Sequence, residues 1–224
     1  MPTSTPPPLI PLDWYFDFIS PFAYLQFEQF DHLPAGLSIT FRPVLLGALL
    51  AHWESKGPAE IVPKRRFTYR YAQFRAEQLG IPFRLPAAHP FNPLTLLRLA
   101  IAAGCTQSAI REIFRFVWRD GGDPASTGDV QALAARLGVA DLALATARPE
   151  VKAQLRQNTE QAIALGVFGV PTFVLGTDLF WGEDATPMLL HCIASPAWLQ
   201  SDEVRRISDL PVGVQREIRG DALN

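Results

Sequence analysis

Cysteine is scarce in this sequence. Of 224 residues only Cys105 and Cys192 carry a thiol, far apart and outside any C-x-x-C pair. That rules out a disulfide framework and a dithiol redox motif, and it fits a cytoplasmic setting in which both act as small apolar residues. No run of about 18 apolar residues occurs, so no membrane span is expected. Long runs of one charge are also missing. With 20 basic and 22 acidic residues and a net charge of −2, nothing points to nucleic acid or an acidic membrane surface as partner. His32, His52, His89 and His191 show no metal-ligand spacing, so no metal is expected.

Proline, by contrast, is abundant: 20 residues, well above the average share of about 5%. Five of them fall within residues 1–11, which read as a flexible or polyproline-like leader. This leader has neither the basic residues nor the apolar core of a secretory signal. A hydrophobic fraction of 48% is enough for a folded core in one large domain or a domain with an insertion.

The chain is organised around residues 12–25, LDWYFDFISPFAYL. Leu12, Trp14, Phe16 and Phe18 alternate with Asp13, Tyr15 and Asp17, with aromatic residues on both faces, which predicts a buried strand. Ser20-Pro21 then supplies a preferred N-cap and a preferred first helical residue. A helix whose free N–H groups sit at the tip of a buried strand can bind an anion, including a thiolate. The plainer reading of Ser20 is an ordinary N-cap.

A helix from 21 to about 32, a turn at Pro34-Ala35-Gly36 and a strand over 37–43 complete a βαβ unit, with parallel pairing expected. Residues 44–166 read as an all-helical block. Its helices fall near 45–53, 64–79 (with Phe67, Tyr71 and Phe74 on one face), 93–103, 110–117, 130–137 and 151–163. Strands return at 171–175 and 179–181, followed by a helix near 185–194 and a polar remainder with room for one more helix. The order βαβ, helical insertion, ββα predicts an α/β fold whose two halves share one mixed sheet; a thioredoxin-like fold has this order, although order alone does not exclude others. Its parts are a leader (1–11), a thioredoxin-like domain (12–43 and 167–200), an inserted helical domain (44–166) and a C-terminal tail (201–224).

In Gly169-Val170-Pro171-Thr172-Phe173, a proline opening a strand is compatible with a cis bond, which would turn the Val170 N–H and C=O outward toward an extended peptide-like ligand. Taken alone, Pro171 need only start the strand. Together with FDFISPFAYL, RPVLLGALL, AEIVPKRRFTYR, HPFNPL and FWGEDATPML, the chain resembles the 2-hydroxychromene-2-carboxylate isomerases and kappa-class glutathione transferases. Both belong to the disulfide-oxidoreductase-like (DsbA-like) branch of the thioredoxin superfamily. The resemblance spans residues 12–190.

The resemblance implies a glutathione-dependent isomerase acting on a small conjugated aromatic-derived substrate, and a homodimer. A kappa-type transferase or peroxidase, or a non-catalytic peptide-binding module, are the alternatives. It further implies that Ser20 stands where redox relatives carry a nucleophilic cysteine and hydrogen-bonds the glutathione sulfur. Val170 and Pro171 would meet the cysteinyl part, and Trp181, Gly182, Glu183 and Asp184 would hold the γ-glutamyl end. Lys64 would face the substrate or the glycyl carboxylate, and Asn92 would lie near the substrate pocket; the plainer readings are a solvated basic run for Lys64 and an N-cap for Asn92 and for Asp184. Trp53, Phe67 and Tyr71 are available to line the pocket or to pack in helix cores. Two departures stand out: Ala185 follows the aspartate where many relatives carry arginine or leucine, and Ser55-Lys56-Gly57-Pro58 lacks an asparagine found in several of them.

Overall fold

The computed structural model describes residues 9–214; residues 1–8 of the expected leader and 215–224 of the expected tail lie outside it. Strands β1 (Ile10–Phe16), β2 (Leu37–Pro43), β3 (Thr172–Leu175) and β4 (Asp178–Trp181) form one sheet in the order β2-β1-β3-β4. The β1–β2 pair is parallel and the other two are antiparallel. Ile10 and Pro11, read from sequence as leader, are the first residues of β1, and the Ile10 N–H donates to Gly36 O at 2.7 Å.

Parallel neighbours need a crossover, and α1 (Pro21–Glu28) supplies it. The helix stops at Glu28, short of residue 32, and tightens into a 3-10 turn, Phe30–His32. Pro34 forbids a helical conformation just before it.

The central strand is buried on both faces. In register, Phe41, Trp14, Phe173 and Phe180 form one aromatic row across all four strands. Trp14 stacks on Phe16 at 4.6 Å and meets Phe30 edge-on at 4.8 Å. Tyr15 points to the opposite face, into a cluster with Val44, Leu49, Ala162, Val167, Val170 and Val174. Each large side chain buried this way contributes about 1.5–3 kcal/mol.

Between β2 and β3 lie α2 (Leu46–His52), α3 (Val62–Leu79), α4 (Leu94–Ala102), α5 (Gln107–Trp118), α6 (Thr127–Arg136), α7 (Leu142–Ala147) and α8 (Pro149–Ala164). Helix α7 was not expected from the sequence, although its cap is legible there: Asp141 Oδ1 accepts the Leu144 N–H at 2.8 Å. In α3 the expectation fails in a different way. Phe67, Tyr71 and Phe74 share a face and stack on one another, but that face is exposed, while Ala72 and Ala76 are buried.

The chain divides into two compact units between Thr186 and Pro187. The second contains most of α9 (Thr186–Ala194), a 3-10 turn (Pro196–Gln200) and α10 (Asp202–Ser208). Within it the His191 and Trp198 rings meet edge-on at 5.4 Å. No helix of the described residues is long and apolar enough to cross a membrane.

Candidate active site

Ser20 caps α1 as its sequence predicts, its Oγ accepting the Ala23 N–H at 3.2 Å. The same hydroxyl donates to Val170 O at 3.4 Å, across 150 positions of sequence. Pro21 has no N–H, and the Ala23 and Tyr24 N–H groups are satisfied. In this first turn the Phe22 N–H is left without a partner among the described residues, at the positive end of the helix. The Val170–Pro171 bond is cis, and the Val170 N–H also has no partner among the described residues.

These groups open on a cavity of about 700 Å³, lined by Ser20, Phe22, Lys64, Tyr69, Val170 and Trp181 among others. Leu45, Leu46 and Leu50 make part of its wall apolar.

Ile19, the residue before Ser20, is held at both its backbone N–H and its carbonyl. The Ile19 N–H donates to Asp17 Oδ1 at 3.1 Å, and Ile19 O lies 2.8 Å from His89 Nε2. One residue earlier, Phe18 O accepts the Trp118 indole N–H at 2.8 Å. Asp17 is fully buried and lines the cavity; burial pushes its carboxyl up to about 7, partly offset by N–H donors from Leu46, Ile19 and Phe18. Burial also lowers the His89 imidazole, opposed by its bond to Ile19. His89 Nδ1 lies 2.8 Å from Tyr69 Oη, which is also 2.7 Å from His89 O. Sequence reasoning missed Asp17, Tyr69 and His89. An aspartate just before a helix start is a legible acceptor of loop N–H groups, but nothing local announces the other two.

A family model for the DsbA-like thioredoxin domain matches residues 11–194. The chain belongs to the DsbA-like thioredoxin family. A 2-hydroxychromene-2-carboxylate isomerase of Pseudomonas putida is 30% identical over 189 residues, covering 80% of this chain and 91% of that protein. Glutathione s-transferase kappa 2 of Caenorhabditis elegans is 28% identical over 207 residues, covering 82% and 91%. A solved 2-hydroxychromene-2-carboxylate isomerase shares the fold with a TM-score of 0.72 at 24% identity, covering 90% of this chain and all of that one. This DsbA-like chain is therefore an enzyme of a glutathione-related isomerase and transferase family. At the start of α1 it carries Ser20-Pro21-Phe22-Ala23, so this motif has no sulfur with which to exchange a disulfide. Of its two cysteines, Cys192 is buried, and burial pushes the Cys105 thiol up to about 11.

The other residues singled out in this DsbA-like sequence separate into two groups. Lys64 lines the cavity, and so does Trp181, whose exposed ring meets Phe168 edge-on at 5.0 Å. Gly182 takes φ +96°, its N–H donates to Pro171 O at 2.8 Å, and its carbonyl accepts from Gln26 Nε2 at 3.0 Å. Asp184 is exposed beside it. Glu183, however, is buried and bound to Arg75 through two hydrogen bonds of 2.6 and 3.1 Å, so its carboxylate is committed within the fold. Asn92 is exposed, caps the start of α4 through Leu94 N at 3.0 Å, and is not among the cavity-lining residues. Trp53, Phe67 and Tyr71 do not line it either; Trp53 Nε1 donates to Val167 O.

Proposed function

We propose that the chain is a glutathione-dependent isomerase of the 2-hydroxychromene-2-carboxylate isomerase type, acting on a small conjugated aromatic-derived substrate. The observation that carries this reading is Ser20: a hydroxyl at a helix N-terminus, beside the cis Val170–Pro171 bond, on the wall of a largely apolar cavity. The donor set fits the tripeptide. Phe22 N–H and Ser20 Oγ suit a thiolate, Val170 N–H and O suit an extended peptide backbone, and the exposed Asp184 carboxylate suits an α-ammonium group.

When bound, glutathione supplies a thiolate that adds reversibly to a conjugated double bond. Ser20 and the α1 N-terminus stabilise negative charge at the sulfur. Lys64, at the cavity wall, offsets a substrate carboxylate or developing enolate. The leucine-lined wall orients the apolar part of the substrate and excludes water.

The test is to incubate the chain with glutathione and a conjugated chromene or benzylidene acceptor and to follow the ultraviolet spectrum together with the thiol count. Isomerisation without thiol loss is the expected result. A stable conjugate would instead favour a kappa-type transferase, the reading suggested by the nematode relative. No reaction and no binding of glutathione would leave a non-catalytic module.

A further inference from the structure

The hydrogen-bond network around His89 is one proton short. It has three short contacts: His89 Nε2 to Ile19 O at 2.8 Å, His89 Nδ1 to Tyr69 Oη at 2.8 Å, and Tyr69 Oη to His89 O at 2.7 Å. Each needs a hydrogen. Two of the acceptors are carbonyl oxygens, which have none to give. A neutral imidazole with its hydrogen on Nε2 satisfies Ile19 O, and the single phenolic hydrogen of Tyr69 then serves either Nδ1 or His89 O, but not both. An imidazolium satisfies all three, because Nδ1–H donates to Tyr69 Oη and frees the phenolic hydrogen for His89 O.

The place is therefore built to accept one proton, and it adjoins the anion site. Tyr69 and His89 line the same cavity as Ser20, and His89 bonds the residue immediately before it. We propose that His89, through Tyr69, takes up the proton released when a thiol is held as thiolate at Ser20, leaving a thiolate and an imidazolium in one site. The transfer balances: Tyr69 Oη accepts the thiol proton as its own hydrogen passes to His89 Nδ1, so the phenol is regenerated and the charge separates between sulfur and imidazolium.

Arg65 and Tyr69 on α3 act on His89 directly, Asp17 on the β1–α1 loop is linked to it only through Ile19, whose N–H it accepts, and α5 contributes the uncharged Trp118 ring at 5.5 Å. Burial and Arg65 lower the pKa of the imidazole, and its bond to Ile19 opposes them. An adjacent thiolate reverses that balance, because an opposite charge favours the charged form. Asp17 is the competing acceptor, but a proton placed there would leave the thiolate with no new cation beside it.

The inference rests on the glutathione reading, and one experiment separates the two. Glutathione is titrated calorimetrically into the full chain near neutral pH, in two buffers of different ionisation enthalpy, while thiolate absorbance is followed. The expected result is that thiolate forms and the buffer receives far less than one proton per site. In His89→Gln, and independently in Tyr69→Phe, the proton should go to the buffer and the thiolate fraction at fixed pH should fall, approaching about tenfold for each unit of thiol pKa regained once that pKa exceeds the pH. Release of a full proton by the unaltered chain overturns the inference while leaving glutathione binding intact. Retention that survives in both variants also overturns it and assigns the proton to Asp17. Absence of both heat and thiolate absorbance overturns the glutathione reading, and this inference with it.

Discussion

Asp17 Oδ2 accepts the Leu46 N–H at 2.9 Å, tying the loop before Ser20 to the first residue of α2. The carboxyl that makes this bond is fully buried, and burial pushes it from an ordinary 3.8 up to about 7. Between those values the folded chain keeps a proton that the unfolded chain has lost. The stability this group contributes is therefore greatest below the ordinary carboxylate range and declines as pH rises to about 7, by about 4 kcal/mol in all. Asp17→Asn cannot titrate, so its stability relative to the unaltered chain should rise with pH across that window. Urea unfolding at several pH values measures this, and a difference that stays flat would refute it.

Removing Arg75 leaves the buried Glu183 carboxylate unpaired. Because the arginine side chain is about a quarter exposed, the loss should sit near the lower end of the range for broken buried pairs, about 3 kcal/mol for Arg75→Ala. Glu183→Gln, which keeps an acceptor and removes the charge, should lose less. Chemical denaturation of the two variants compares them; equal losses would mean that the charge itself is immaterial.

A methyl group at Gly169 would lie 2.6 Å from Trp181 Nε1. The indole is half exposed and can swing away, so Gly169→Ala should cost about 1 kcal/mol or less. It should nevertheless alter the emission assigned to Trp181 by comparison with Trp181→Phe, and weaken glutathione binding. An unchanged Trp181 emission would show that the ring is not seated against Gly169.

Ser20→Ala removes both the cap on Ala23 and the bond to Val170. The cap is worth about 1 kcal/mol, which thermal unfolding can read. The distinguishing result is spectroscopic: the pH at which bound thiolate absorbs should rise. If only stability changes, Ser20 is a cap and no more.

The sequence by itself determined the strands, most of the helices and the placement of Ser20 at the start of α1. Those features rest on local physics: alternation in 12–18, a capping serine followed by proline, and a proline opening β3. Tertiary structure decided which face of α3 is buried, because the periodicity of Phe67, Tyr71 and Phe74 marks a shared face but not what covers it. It also withdrew Glu183 and Asn92 from the cavity, since Arg75 lies 108 positions from its partner and Asn92 turns back on its own helix. The links that bring Tyr69 and His89 to the loop held by Asp17 could come only from the folded chain. Hydrogen bonds between residues 70 positions apart leave no periodic trace in sequence, yet they fix the backbone on which Ser20 sits.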